Sequence, residues 1–554
     1  MFPAVDHKEL NLLAKWLLIL SPSGFTSQFS ATVSSILESL PPISLNGLRP
    51  LDVAIISLGV WLLLKVARTT RRRLVATRLR GPPRANFFLG QGHVIDKSND
   101  SSDAGPLFEA WEQEYGSVYS VPSTIGIARI VLCDPKAVMH FYQYETLRYD
   151  RSEVDKHILK TMVSYCVTLY DIQRKAMTPA FSNAAIRNVT STFYDSAYKV
   201  RPMLVLCCSP LDSIGVAGFS HNFGTLDGKH SEVAAIFDKF ATSKPSLLFK
   251  MSSLLGLIFP ALMKLPTARG GLHKELNNVL GVVAQALIER VRKEKAGLTK
   301  GQDDNSVIGL LIKAESPGAE LYMSEDEVLS QIKLLLVAGY ETTSISLSWA
   351  LAELARNKDI QDKLRDELSQ FVGKDPTYEQ LNNGLPYLDA VVLETLRIHS
   401  PVPDTTRLAA EDDVIPLSEP IVDASGKLCD HIVVAKGSQV TVSIHYVNGS
   451  EKFWGPDAKL FKPERWLNPD GLEARAREIQ GHKHLLVFAD GPRICLGKAF
   501  ALSEFKAVLS TLVRNFEFDM RDAKAEVEVA NGFLPRPRIV GEQKVDLPLR
   551  VTRL

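Results

Sequence analysis

Residues 488–497 read FADGPRICLG, and the meaning of this stretch decides the fold. It holds Cys495, one of six cysteines in 554 residues. The others, Cys133, Cys166, Cys207, Cys208 and Cys429, show no C-x-x-C spacing, so neither a disulfide scaffold nor a tetrahedral zinc site is supported. A sparse cysteine is normally a small buried hydrophobe, and that reading suffices for those five. Cys495 differs in its setting. Gly491 and Pro492 predict a tight turn before it, and Gly497 permits close approach after it. From Leu496 onward, LGKAFALSEFKAVLSTLV carries apolar residues at helical spacing. Cys495 is therefore expected near a helix N-terminus, where the dipole and backbone N–H groups favour a thiolate.

A lone thiolate, without a second cysteine or clustered histidines, suits one axial position of a haem iron better than zinc or an iron–sulfur cluster. The stretch also resembles the haem-loop signature of the cytochrome P450 family, F-x-x-G-x-R-x-C-x-G. Phe488, Gly491, Arg493, Cys495 and Gly497 match every fixed position. The resemblance implies haem b (iron protoporphyrin IX), with Cys495 as the proximal iron ligand. It further implies that Phe488 packs near the sulfur, Arg493 binds a haem propionate and Gly497 completes the cofactor-binding loop.

Three more stretches carry the same resemblance. ETLR, Glu394–Arg397, places an acid and a base three apart on one helix face, where they can pair. With Arg465 in PERW (Pro463–Trp466) they resemble the family's structural triad, an architectural feature. PVPDTTR follows, and its Arg407 is implied to be a second propionate ligand. AGYETT, Ala338–Thr343, lies in a long apolar helical pattern. The plain reading is that Glu341 pairs locally and the threonines bond back to the preceding turn. The resemblance instead makes Ala338 and Gly339 an oxygen pocket, and Glu341 with Thr342 an acid–alcohol pair for proton delivery. YDIQRKAMTPAF, Tyr170–Phe181, supplies Arg174 as a third propionate ligand. Tyr170 stands there in place of the family's usual tryptophan or histidine, and the usual glycine-rich lead-in is missing.

Around these motifs the chain reads as mainly α with a minor β component: one large cytochrome P450-type haem domain, residues 85–554, behind an N-terminal membrane anchor. Trp111–Ser120 is expected to be a helix end turning at Gly116 into a strand. Ile127–Pro135 is expected to be a strand pair ending at Pro135. Leu51–Ala67 is a marginal transmembrane signal anchor, apolar from Val53 to Leu64. The arginines that follow, Arg68, Arg71, Arg72, Arg73, Arg78 and Arg80, favour a cytosolic body. Residues 68–84 form a basic, proline-rich hinge. Residues 1–50 are expected to hold an interfacial helix or a second anchor at Leu10–Leu20. The resemblance to microsomal, fungal-like members then implies the endoplasmic reticulum membrane.

The net charge of +1 argues against nucleic acid as a partner. No flavin or dinucleotide fingerprint is visible, so electrons are expected from a separate NADPH–cytochrome P450 reductase, with cytochrome b5 as a further donor. Lys483, Arg493, Lys498 and Lys506 are the candidate docking cations. Ser246–Met263 is apolar enough to dip into membrane lipid. The implied activity is monooxygenation of a lipophilic small molecule, a terpenoid or other specialised metabolite. Two rivals stand beside it. A haem-thiolate isomerase or dehydratase of the same fold would need no reductase, and the retained Glu341-Thr342 pair disfavours it. A non-catalytic haem-binding membrane protein would have no use for that pair.

Overall fold

Trp111–Ser120 folds as its spacing predicts. Helix α1 (Gly105–Tyr115) ends at Gly116, whose φ of 97° suits glycine, and strand β1 (Val118–Pro122) follows. The next expectation needs correcting. Ile127–Pro135 yields a single strand, β2 (Ala128–Leu132), paired antiparallel with β1. Pro135 opens helix α2 (Pro135–Tyr144), and the Asp134 side chain accepts from the Ala137 N–H at 3.1 Å as its cap. A proline in the first turn forfeits no intrahelical bond, so it can begin a helix as readily as it ends a strand.

The protein is described from a computed structural model. The described residues are 59, 70–72 and 74–554, without 87–88, 96–104, 124–126, 165–169, 200–231, 244–245, 257–259, 296–306, 316–320, 469 and 543–546. The segments 1–50 and, Gly59 apart, 51–67 lie outside them, as do Cys166, Cys207 and Cys208. Among the described residues no helix is long and apolar enough to cross a membrane.

The body is mainly helical. Strand β3 (Tyr149–Asp150) leads to α3 (Glu153–Val163), α4 (Tyr170–Met177) and α5 (Asn183–Lys199). Then come α6 (Glu232–Thr242), α7 (Leu247–Gly256), α8 (Ala268–Lys295) and α9 (Val307–Ala314). Helix α10 (Glu325–Arg356) is the longest of these at 32 residues, about 48 Å at 1.5 Å per residue. A capping box formed by Ser324 and Glu327 starts it. Its length is legible in its burial: Leu336, Tyr340, Leu347, Leu351 and Leu354 are all fully buried, so it runs through the core.

Helices α11 (Lys358–Leu368) and α12 (Pro386–Ile398) follow, then β4 (Asp404–Ala409) and the hairpin of β5 (Asp413–Val422) with β6 (Leu428–Val434). Strand β7 (Gln439–Ser443) runs parallel to β2 and antiparallel to β4. That completes a five-stranded sheet in the order β1-β2-β7-β4-β3. Helix α13 (Lys498–Asn515) packs against α5, α10 and α12. Strand β8 (Phe516–Met520) pairs with β11 (Leu549–Arg553), and β9 (Val527–Asn531) with β10 (Pro535–Ile539). The β9–β10 hairpin lies against α10, which matters for the site.

Candidate active site

The 488–497 loop is shaped before any cofactor is considered. Gly491 takes a φ of 65°, and a Cβ there would stand 2.4 Å from the Tyr142 carbonyl oxygen, so only glycine fits. A 3₁₀ turn over Gly491–Arg493 follows, and the Cys495 N–H donates to the Phe488 carbonyl at 2.8 Å. Gly497 sits at the N-cap position of α13. The close protein approach expected at Gly497 is not made. Its φ is −84°, and the only atom near a built Cβ is Phe181 Cε1, at an ordinary 3.8 Å. Its N–H instead faces the Cys495 sulfur. Desolvation by the surrounding protein pushes the Cys495 thiol up even though its surface opens to a cavity, opposed by that N–H and by the charges of Arg174 and Lys498.

Cys495 and Phe488 open onto a cavity of about 770 Å³. One face of α10, including Ala338, Gly339 and Thr342, lines the same cavity. Arg174 from α4, Arg407 from β4 and Arg493 from the loop also line it. Arg407 is held by Glu145 at 2.5 Å, by the Thr405 hydroxyl at 2.9 Å and by the Thr406 carbonyl at 2.9 Å. Arg407 Nε and Glu145 Oε2 are buried without a partner. A fourth cation, Arg151, was missed in the sequence. It lies between β3 and α3, where no motif marks it, and it too lines the cavity. Burial pushes its guanidinium down, and the neighbouring charges of Arg407 and Arg493 add to that. Tyr170 begins α4, but its side chain lies outside the described ones.

These residues fit haem. One thiol, that of Cys495, stands on one wall, apolar side chains such as Leu335 and Phe488 flank the space, and four guanidiniums face it. Crowded arginines with an unpartnered buried N–H are poised for an anionic ligand such as a pair of propionates.

The acid–alcohol pair is split in its contacts. Thr342 Oγ1 donates to the Ala338 carbonyl at 2.7 Å, the back-bond that its plain reading predicts. Glu341 is fully buried and is not part of the cavity wall. Arg536 of β10 grips it in a two-pronged ion pair, Nε to Oε1 at 3.0 Å and Nη2 to Oε2 at 2.8 Å. Arg536 Nη1 also reaches Asp238 of α6 at 3.0 Å. Burial pushes the Glu341 carboxyl up while Arg536 opposes the rise, and Arg536 itself is held protonated.

Glu394, Arg397 and Arg465 come together in the core. Arg397 donates twice to Glu394, at 2.9 and 2.8 Å, and Arg465 Nε donates to it at 3.0 Å. Trp466 Nε1 and the Lys462 N–H complete the carboxylate's partners, at 2.9 and 3.0 Å. Among the docking cations, Lys506 must be withdrawn. It is 3 % exposed and pairs with Asp389 at 2.7 Å, because it falls on the inner face of α13. Lys483 is exposed and Lys498 half-buried, while Arg493 is turned to the cavity.

The sequence profile described as Cytochrome P450 matches residues 81–539. Cytochrome P450 monooxygenase claQ of Ampulloclitocybe clavipes is 48% identical over 529 residues, covering 91% of this chain and 98% of that protein. Monooxygenase claP of the same fungus is 47% identical, covering 93% of this chain and 100% of the relative. Cytochrome P450 monooxygenase 205 of Postia placenta is 32% identical, covering 92% and 98%. The fold and the cysteine loop fit a protein that holds haem through one thiolate, and these matches go one step further. The chain belongs to the cytochrome P450 family, as an enzyme of its monooxygenase class.

Proposed function

We propose that the protein inserts one oxygen atom from O2 into a lipophilic small molecule, a terpenoid or other specialised metabolite, using electrons from an NADPH-dependent flavoprotein reductase. The observation that carries this reading is a single cavity bounded by Cys495 on one side and by Ala338, Gly339 and Thr342 on the other. Bound there, haem supplies the oxygen-activating redox chemistry.

The chain's own residues do the rest. Cys495 would hold the iron through its sulfur, and the Gly497 N–H would stabilise the charge on that sulfur. Arg174, Arg407 and Arg493, with Arg151, hold the propionates. The small side of α10 at Ala338 and Gly339 leaves space for dioxygen. The Thr342 hydroxyl, now bonded to the Ala338 carbonyl, passes protons into that space, and Glu341 behind it relays them once it turns from Arg536. Lys483 and Lys498 offer the reductase, or cytochrome b5, a cationic face beside the loop. The anchor at 51–67 holds the enzyme on the endoplasmic reticulum membrane. Leu248 on α7 and Leu265, which follows the next turn, are both well exposed and suit contact with lipid.

The test is reconstitution of the haem-loaded protein with such a reductase and a panel of terpenes, sterols and lipophilic aromatics. Oxygenated product is expected only when reductase and NADPH are both present. Product formed equally without them contradicts the proposal.

A further inference from the structure

The cavity contains two buried amides that the chemistry above does not use. The N-terminal part of the wall contributed by α10 is a stripe at helical spacing, Gln331, Leu334, Leu335, Ala338 and Gly339, followed by the hydroxyls of Thr342, Thr343 and Ser346. Between those hydroxyls and its N-terminal end the stripe is apolar or small, and it ends in Gln331. That side chain is 1 % exposed, and its Nε2 has no hydrogen-bond partner. On α4, Gln173 and Met177 lie four residues apart on the face that lines the same cavity. Gln173 is 2 % exposed, and both its Nε2 and its Oε1 lack a partner. Buried amide groups are nearly always paired, because an unmade bond leaves the full cost of desolvation. Two unpaired amides on one cavity are best explained by a ligand that supplies the missing partners.

We propose that Gln331 and Gln173 determine specificity by binding a hydroxyl group of the substrate, so that the enzyme accepts a lipophilic alcohol in preference to the bare hydrocarbon. An amide offers both a donor and an acceptor, and a hydroxyl can satisfy both. Gln331 lies seven residues before Ala338, about 10 Å along the helix. The hydroxyl is therefore held about that far from the carbon that is oxidised. The reaction that supplies this substrate must already have installed the hydroxyl. This inference rests on the proposed function, since it takes the Ala338 end of the cavity as the place of oxidation.

Isothermal titration of the haem-loaded, full-length protein with decane, decanol and decanoic acid tests it. Decanol is expected to bind about tenfold or more tighter than decane. In Gln331→Leu and in Gln173→Leu that preference should fall below about threefold, with decane bound no more weakly than by the parent. Both variants should keep the red-shifted reduced carbon-monoxide band and the parent's melting temperature, since no existing bond is lost. Equal binding of decane and decanol by the parent, or tightest binding of the acid, overturns the proposal. So does a preference that survives both substitutions, which would point to the hydroxyl sitting on the iron instead. Variants that melt well below the parent show the amides to be structural and overturn it too. A parent that folds and loads haem but lacks the carbon-monoxide band refutes the haem-thiolate reading itself, which is distinguishable from a lost alcohol preference.

Discussion

Glu341 is held by more than its own helix. Its neighbours in AGYETT mark it as an acid beside an alcohol, but its partner Arg536 stands 195 residues away on β10. A purely local pattern carries no trace of such a contact, so the motif was legible and the clamp was not. The clamp has consequences. Arg536→Leu leaves a buried carboxylate without its counter-charge, and should cost about 3–5 kcal/mol in denaturant unfolding at neutral pH. Adding Glu341→Gln removes the stranded charge, and the double variant should recover most of that loss. If the double variant is no more stable than Arg536→Leu, the pair is not the coupled unit seen here. Thr342→Ala removes the hydroxyl at that position and should leave NADPH consumption largely intact while product per NADPH falls about tenfold or more. Normal coupling in that variant contradicts the proton-delivery role.

At the scale of elements, spacing served well where one helix carried both partners. Glu394 and Arg397 are three apart on α12, and they pair as that spacing requires. Spacing failed where burial decides. Lys506 reads as a surface cation in a helix of mixed composition, yet it faces inward to Asp389, because α13 packs against α5, α10 and α12 together. Pro135 failed for a different reason, since a proline marks a boundary without saying on which side of it the new element begins. The knot around Glu394 joins α12 to the Pro463–Trp466 turn, well before the cysteine loop in the chain. Arg397→Met should cost about 3–5 kcal/mol, with haem retention falling in parallel. Glu394 accepts five hydrogen bonds from Arg397, Arg465, Trp466 and Lys462, so this charge is fully compensated. A change below about 1 kcal/mol would match a surface pair and contradict the buried network.

For the whole molecule, ten residues around Cys495 pointed to the architecture, because the loop's turn, thiolate and following helix make sense together only on a large helical scaffold. How the long-range surfaces meet was not legible in the same way, and His273 shows why. Nothing in ARGGLHKEL singles it out, yet on α8 it is 6 % exposed and stacks on Phe240 with centroids 5.3 Å apart. Burial pushes its pKa down to about 4, helped by the charges of Arg269 and His157. The unfolded chain takes up this proton near pH 6.5, so as pH falls below that value it binds protons that the folded state refuses. Stability should therefore drop between about pH 6.5 and pH 4, by about 3 kcal/mol from this group. His273→Phe should be flatter than the parent over that window in urea unfolding. Parallel pH curves for the two proteins would contradict the assignment.

The central claim is that the Cys495 sulfur binds a haem iron. The direct measurement is the absorption spectrum of the haem-loaded protein, reduced and treated with carbon monoxide, beside that of Cys495→Ser. The parent should show the red-shifted band of thiolate coordination, and the variant should lose it, with the band moved to shorter wavelength or the haem shed. A folded, haem-loaded parent without that band, or a Cys495→Ser protein that keeps it, would contradict the claim.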